Sequence, residues 1–247
     1  MTNYLLFAYV RTNNYNEFEK HITNNNVDSR GTYGYTPLHY AVYYERPKFI
    51  QLLLSKGADI DAKSDSGWTP LLCASGLSDT TISQYLISCG ARVETENDDG
   101  ETCLHMAAKS NSINNINLFI KSGIDVNIQT HQGLTPLHYA SYKGNVEAVS
   151  LLLMNSAEIN IQDFNGMTPL HMAVEQNNIE IVKLLLRNYK ANTKIKNNMG
   201  DTPLDIAKRN GYIDIMELIY EYNSIRPLKS EFLTKEFLDS FLDDNDD

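Results

Sequence analysis

Cysteine is scarce in this chain, and what there is does not form a framework. Cys73, Cys89 and Cys103 show neither CxxC spacing nor an even count, so the expected state is reduced thiols, mostly packed, in a reducing compartment. Long apolar runs are lacking too. The longest, Tyr4 to Val10, is much too short to span a bilayer, and no basic segment with a cleavage site precedes it. Positive charge is in deficit: 21 Lys and Arg face 31 Asp and Glu, a formal net charge of −10, which argues against nucleic-acid backbones and anionic membranes as partners. Catalytic signatures are missing as well: there is no GxSxG elbow, no Walker loop, no dinucleotide-binding GxGxxG and no HExxH, so no enzyme activity and no cofactor or metal is expected.

What the chain has instead is a period. The pattern Thr-Pro-Leu-His-x-Ala returns with its alanines at Ala41, Ala74, Ala107, Ala140 and Ala173, a step of 33 residues from 41 to 74 and onward. The clearest copies are Gly34-Tyr35-Thr36-Pro37-Leu38-His39-Tyr40-Ala41, Gly133 to Ala140 and Gly166 to Ala173. Thr36, Thr135 and Thr168 can cap a helix, and the proline after each is preset for the first turn. A second apolar run at helical spacing follows, for example Phe49-Ile50-x-Leu52-Leu53-Leu54, and in three copies it stops near Gly57, Gly90 and Gly123, where a left-handed cap is expected. Each unit therefore reads as two short antiparallel helices followed by an exposed finger. One such unit has too little core to fold alone, so the units stack into a solenoid.

Imperfect copies place Leu72 and Asp205 where histidine is usual and Cys103 where proline is usual, and looser packing is expected there. The step from Ala173 to Ala207 is 34, so one residue is inserted around Tyr189-Lys190-Ala191. Leu5-Leu6-Phe7-Ala8 with Tyr15, Phe18 and Ile22 fits a degenerate first unit, and Gly200 to Tyr222 a last one. The sequence thus predicts an all-α repeat domain of about seven units over residues 1–222, followed by an acidic tail over 223–247. In that tail Phe232, Leu233, Phe237, Leu238, Phe241 and Leu242 are spaced for one helical face, which reads either as a helix covering the end of the solenoid or as a docking motif.

The recurrent His39, His105, His138 and His171 read as part of the repeat, each bonding the turn of its own or the adjoining unit, rather than as a metal site or general bases. Function then falls to the surface. The period and motif resemble those of the ankyrin-repeat family, and that resemblance implies that the residues flanking the finger glycine and those two and three after the motif alanine face one concave groove. They give Tyr33, Tyr35, Tyr43, Tyr44, Trp68, Glu101, Leu134, Tyr142, Lys143, Met167, Glu175, Asp201 and Arg209 as candidate partner-binding residues. Aromatic residues dominate the N-terminal half, the composition of interface hot spots, and Trp68 is the single tryptophan.

The same resemblance to the ankyrin-repeat family, carried by the period and the TPLHxA core, implies a helical solenoid that binds proteins. Within it, Ser64-Asp65-Ser66-Gly67-Trp68-Thr69-Pro70-Leu71, Lys143-Gly144-Asn145 with Ile159-Asn160-Ile161-Gln162-Asp163, and Asp201 to Lys208 are similar to segments of gankyrin-like proteasome regulatory subunits. That resemblance implies an assembly chaperone whose concave face holds the C-terminal domain of one proteasomal ATPase subunit; the alternative is an ankyrin adaptor or effector for an unrelated protein. A monomer in the cytoplasm, with the nucleus open to it as well, is expected in either case.

Overall fold

The fold is seen in a computed structural model that describes residues 2–225. Fourteen helices follow one another as seven antiparallel pairs: α1 (Thr2–Arg11) with α2 (Tyr15–His21), α3 (Pro37–Tyr43) with α4 (Pro47–Ser55), and α5 (Pro70–Ser75) with α6 (Thr81–Ser88). Next come α7 (Cys103–Lys109) with α8 (Ile113–Lys121), α9 (Pro136–Lys143) with α10 (Val146–Met154), α11 (Pro169–Glu175) with α12 (Ile179–Arg187), and α13 (Pro203–Asn210) with α14 (Ile213–Ile225). No strand occurs among the described residues beyond one isolated bridge between Glu96 and Thr102. The last helix runs three residues past the expected boundary at 222, and the rest of the tail, with its Phe and Leu series, lies outside the described residues.

The capping chemistry starts each inner helix where the motif places it. The Thr135 and Thr168 hydroxyls accept from the backbone N–H of His138 and His171, each at 3.4 Å, and the proline after each threonine opens the helix without a wasted N–H. Gly57, Gly90 and Gly123 take the left-handed conformation expected of them, with φ of 84°, 98° and 93°. The inserted residue is also located. At Ala58, Ala91, Ile124 and Ala157 the N–H after the outer helix bonds a carbonyl five residues back, whereas Ala191 bonds Leu185, six back, and Lys190 absorbs the extra length at φ 61°.

Inner helices stack on inner helices, α1 on α3 and so on to α11 on α13, and each also meets its own outer partner. Their leucines and alanines form one continuous core: Leu38, Leu71, Leu104, Leu137 and Leu170 are all at most 1% exposed, and the motif alanines from Ala41 to Ala173 are fully buried. Burying each such leucine contributes about 2 kcal/mol, so the stack rather than any single unit holds the chain together. The expectation of looser packing at imperfect copies fails in the fourth unit. Cys103 opens α7 as a proline would, and every residue from Glu101 to Ala108 is buried, because a small thiol fills the proline's volume without demanding a partner.

Candidate functional site: the concave groove

The groove wall is a row of laced fingers. Each finger closes on itself through one backbone bond, such as Ser64 N–H to Trp68 O at 2.8 Å and Thr130 N–H to Leu134 O at 2.9 Å. In five of the six fingers a polar side chain at the base accepts from two further amides; Asp163 Oδ1, for example, takes the N–H of Asn165 at 2.9 Å and of Met167 at 2.7 Å. The carbonyl at each tip then accepts from the next finger, in the pairs Asp65 to Tyr33, Asp98 to Ser66, His131 to Asp99, Phe164 to Gln132 and Asn198 to Asn165, at 2.9 to 3.2 Å. With the extended backbone amides paired this way, the fingers are held in register and the groove is largely preformed.

The motif histidines tie the inner helices to these fingers as the sequence suggests. The Thr36 N–H donates to His39 Nδ1 at 3.1 Å, which leaves the proton on Nε2, and Nε2 donates to the Trp68 carbonyl at 2.9 Å. His105 reaches Leu134, His138 reaches Met167 and His171 reaches Asp201 in the same manner, at 3.0 to 3.2 Å. Burial lowers His39, His105 and His138 to about 4 and lowers His171 as well, so all four stay neutral, with both ring nitrogens engaged. They cannot serve as bases or metal ligands without giving up a structural bond. No cluster of His, Cys, Asp and Glu with metal-binding geometry exists among the described residues. Burial pushes the Cys73 and Cys103 thiols to about 12, which removes thiolate reactivity, while Cys89 is exposed; all three are free.

At the second and third units the groove opens into a pocket of about 660 Å³ lined by Tyr33, Tyr35, Tyr40, Tyr43, Tyr44 and Trp68, with Thr32, His39 and Cys73 completing it. Tyr43 and Tyr44 meet edge to face at 5.1 Å and 88°, and Tyr35 stands edge-on to His39 at 5.2 Å. Tyr33 and Tyr43 are 75% and 70% exposed, whereas Tyr35, Tyr44 and Trp68 are half-buried and held by the core.

The finger at this pocket is built differently from the others. The base position that holds Ser64, Asn97, Thr130, Asp163 or Asn197 elsewhere is Gly31, and the Phe7 ring occupies the space a side chain would need, its Cζ 2.9 Å from where a Cβ would stand. Without the polar anchor the tip tightens into a 3-10 turn, and Tyr33 alone among the non-glycine tip residues takes left-handed backbone, at φ 55°. A bulky residue there is strained by on the order of 1 kcal/mol, a cost that clusters at functional positions.

The remaining candidates divide. Leu134, Tyr142, Lys143 and Glu175 come together in a second hollow of about 340 Å³, with Lys109, His138, Tyr139 and Met172. Glu101 does not offer an open carboxylate as expected: it is 7% exposed and is claimed by Asn97 Nδ2 and the Tyr139 hydroxyl, both at 2.8 Å, with Lys109 Nζ at 3.6 Å. Met167 is also inside rather than on the groove, at 8% exposure, since its finger folds against Asn197. Asp201 and Arg209 pair with each other, so neither presents a free charge. The residue between the motif histidine and alanine was overlooked by sequence reasoning. Tyr40 and Cys73 from that position line the first pocket, Tyr139 and Met172 the second, and two tyrosines in that slot were the available signal.

Comparison with known proteins agrees with this geometry. A family model described as ankyrin repeats matches residues 5–97, 60–130, 79–163 and 137–229. No curated protein matches the chain. Among solved structures, the ankyrin repeat domain of Bcl-3, described as a unique member of the IkappaB protein family, aligns with a TM-score of 0.69 at 26% identity, over 87% of this chain and 97% of that one. The structural matches number 594 chains, so this likeness identifies a scaffold and singles out no partner. With matches running from residue 5 to residue 229, the chain belongs to the ankyrin-repeat family.

Proposed function

We propose that this protein is a non-catalytic scaffold that holds one protein partner in its concave groove, anchored in the aromatic pocket of the second and third units. The observation that carries this is six aromatic rings gathered around one preformed hollow, with Tyr33 and Tyr43 projecting from it. Tyr and Trp supply large contact area at little entropic cost, which is why they concentrate binding energy. The protein acts in this reading as a monomer in the cytoplasm, with access to the nucleus.

The finer reading is an assembly chaperone resembling gankyrin, holding the C-terminal domain of a proteasomal ATPase subunit. It is supported by the Ser64–Leu71, Lys143–Asp163 and Asp201–Lys208 stretches. A second reading, an adaptor for an unrelated protein, is favoured by the internal use of Glu101 and Asp201, the acids that would have met a basic ATPase surface. Affinity capture from the native cell with the tagged full chain and with its Tyr43→Ala variant, followed by identification of the bound subunits, separates them. Recovery of one proteasomal ATPase subunit, lost with Tyr43→Ala, supports the chaperone; recovery of a different protein with the same sensitivity supports the adaptor. A partner indifferent to Tyr43→Ala and Tyr33→Ala would show that binding lies outside the pocket.

A further inference from the structure

The chemistry of the pocket walls says what kind of side chain they suit. No aliphatic residue lines the hollow, and no carboxylate does. The hydroxyls of Tyr33, Tyr40, Tyr43 and Tyr44 make no hydrogen bond with any other described residue. An apolar side chain seated there would gain ring contact but would cover phenol oxygens without returning a donor, at about 1–3 kcal/mol for each one left unpaired. A cation gains from the negative ring faces, and the nearly perpendicular Tyr43 and Tyr44 present a face and an edge within a few ångströms. With no carboxylate to replace lost hydration, the cation must be weakly hydrated. That condition selects guanidinium over ammonium, and a guanidinium also brings five donors in one plane to wet phenols.

We propose that the pocket takes the arginine side chain of a basic segment on the partner, stacked among Tyr33, Tyr43, Tyr44 and Trp68 with its N–H groups on the phenol oxygens. This rests on the reading of the groove as the docking face. The charge of the whole chain fits: at −10 it draws basic segments toward the protein from a distance. Arg30, whose charge is felt at His39 in the pocket wall, is paired with Asp65 at 3.5 Å, and that pairing offsets part of its repulsion.

Trp68 is the only tryptophan in the chain and lines this pocket, so its fluorescence reports occupancy here and nowhere else. The probes are four heptapeptides, Gly-Ser-Gly-X-Gly-Ser-Gly, with X arginine, lysine, citrulline or phenylalanine. The arginine peptide should give a saturable change, citrulline should bind about ten-fold more weakly for want of charge, and lysine should fall between them. Tyr43→Ala should weaken the arginine peptide about five-fold without shifting the melting temperature, and Tyr43→Phe should keep most of the affinity. Citrulline or phenylalanine binding as tightly as arginine, or no saturable change with any peptide, overturns the proposal. These outcomes are separable from the docking reading, which falls only if the captured partner ignores Tyr43→Ala and Tyr33→Ala. A partner lost with Tyr43→Ala alongside a preference for phenylalanine would leave the docking face standing and remove arginine.

Discussion

The Tyr139 hydroxyl donates to the Glu101 carboxylate across 2.8 Å, tying the inner helix of the fifth unit to the finger of the fourth. Burial, together with the adjacent carboxylate, holds the Tyr139 phenol well above the usual tyrosine range, so it remains a donor at any physiological pH. Tyr139→Phe should lower the unfolding free energy by about 1–3 kcal/mol, because a buried carboxylate loses one of its donors. Urea midpoints compared at neutral pH measure this; an unchanged midpoint would mean that Asn97 and Lys109 satisfy Glu101 by themselves.

The histidines predict an acid limit to stability. His39, His105 and His138 sit at about 4 in the fold against 6.5 when free, so between those values the unfolded chain binds more protons than the native one. Stability therefore falls as pH drops from about 6.5 toward 4, and the loss from this source levels off below that. Three such groups give a slope approaching about 4 kcal/mol per pH unit near pH 5. Equilibrium unfolding across pH 4–7 tests it, and His138→Gln should remove about one proton from the uptake. A flat profile over this window would contradict the buried, neutral assignment.

Leu137 is 1% exposed in the middle of the stack, and Leu137→Ala should cost about 2–5 kcal/mol, felt by the fourth and sixth units as well as its own. Hydrogen exchange resolved by unit would show loss of protection on both sides of α9. Loss confined to the fifth unit would mean that the interfaces are less coupled than their packing indicates.

Gly34→Ala should be more damaging than Gly57→Ala, although both glycines are left-handed. At Gly34, with φ 72°, an added Cβ would lie 2.8 Å from the Asp65 backbone nitrogen, whereas at Gly57 it meets nothing within 4 Å. Gly57→Ala should cost about 1 kcal/mol for its backbone conformation alone, and Gly34→Ala more, since the finger ladder must open to admit the methyl. Paired thermal melts decide it; equal costs would mean that the ladder yields freely.

The period made the helices, their caps, the histidine bonds and the insertion legible in the sequence, because each depends on residues within one unit or a fixed step apart. Glu101 and Met167 were misplaced for the opposite reason. Their surroundings come from neighbouring units at irregular choices of residue, Tyr139 for the one and Asn197 for the other, and no periodic rule states that a finger acid will meet a phenol. The aromatic pocket was half legible: its tyrosines stood at groove positions, but the absence of a base side chain at Gly31 gains meaning only when Phe7 is seen beneath it.

That contact gives the first unit a second task. Phe7 is about 9% exposed, belongs to α1, and touches both Gly31 and, at 4.9 Å between ring centres, Tyr40 in the pocket wall. The helix pair that closes the end of the stack thus also acts as a wedge under the finger, setting how far Tyr33 leans over the hollow. Fraying of α1 would reshape the pocket long before it melted the solenoid, so the mouth of the pocket is tuned from behind.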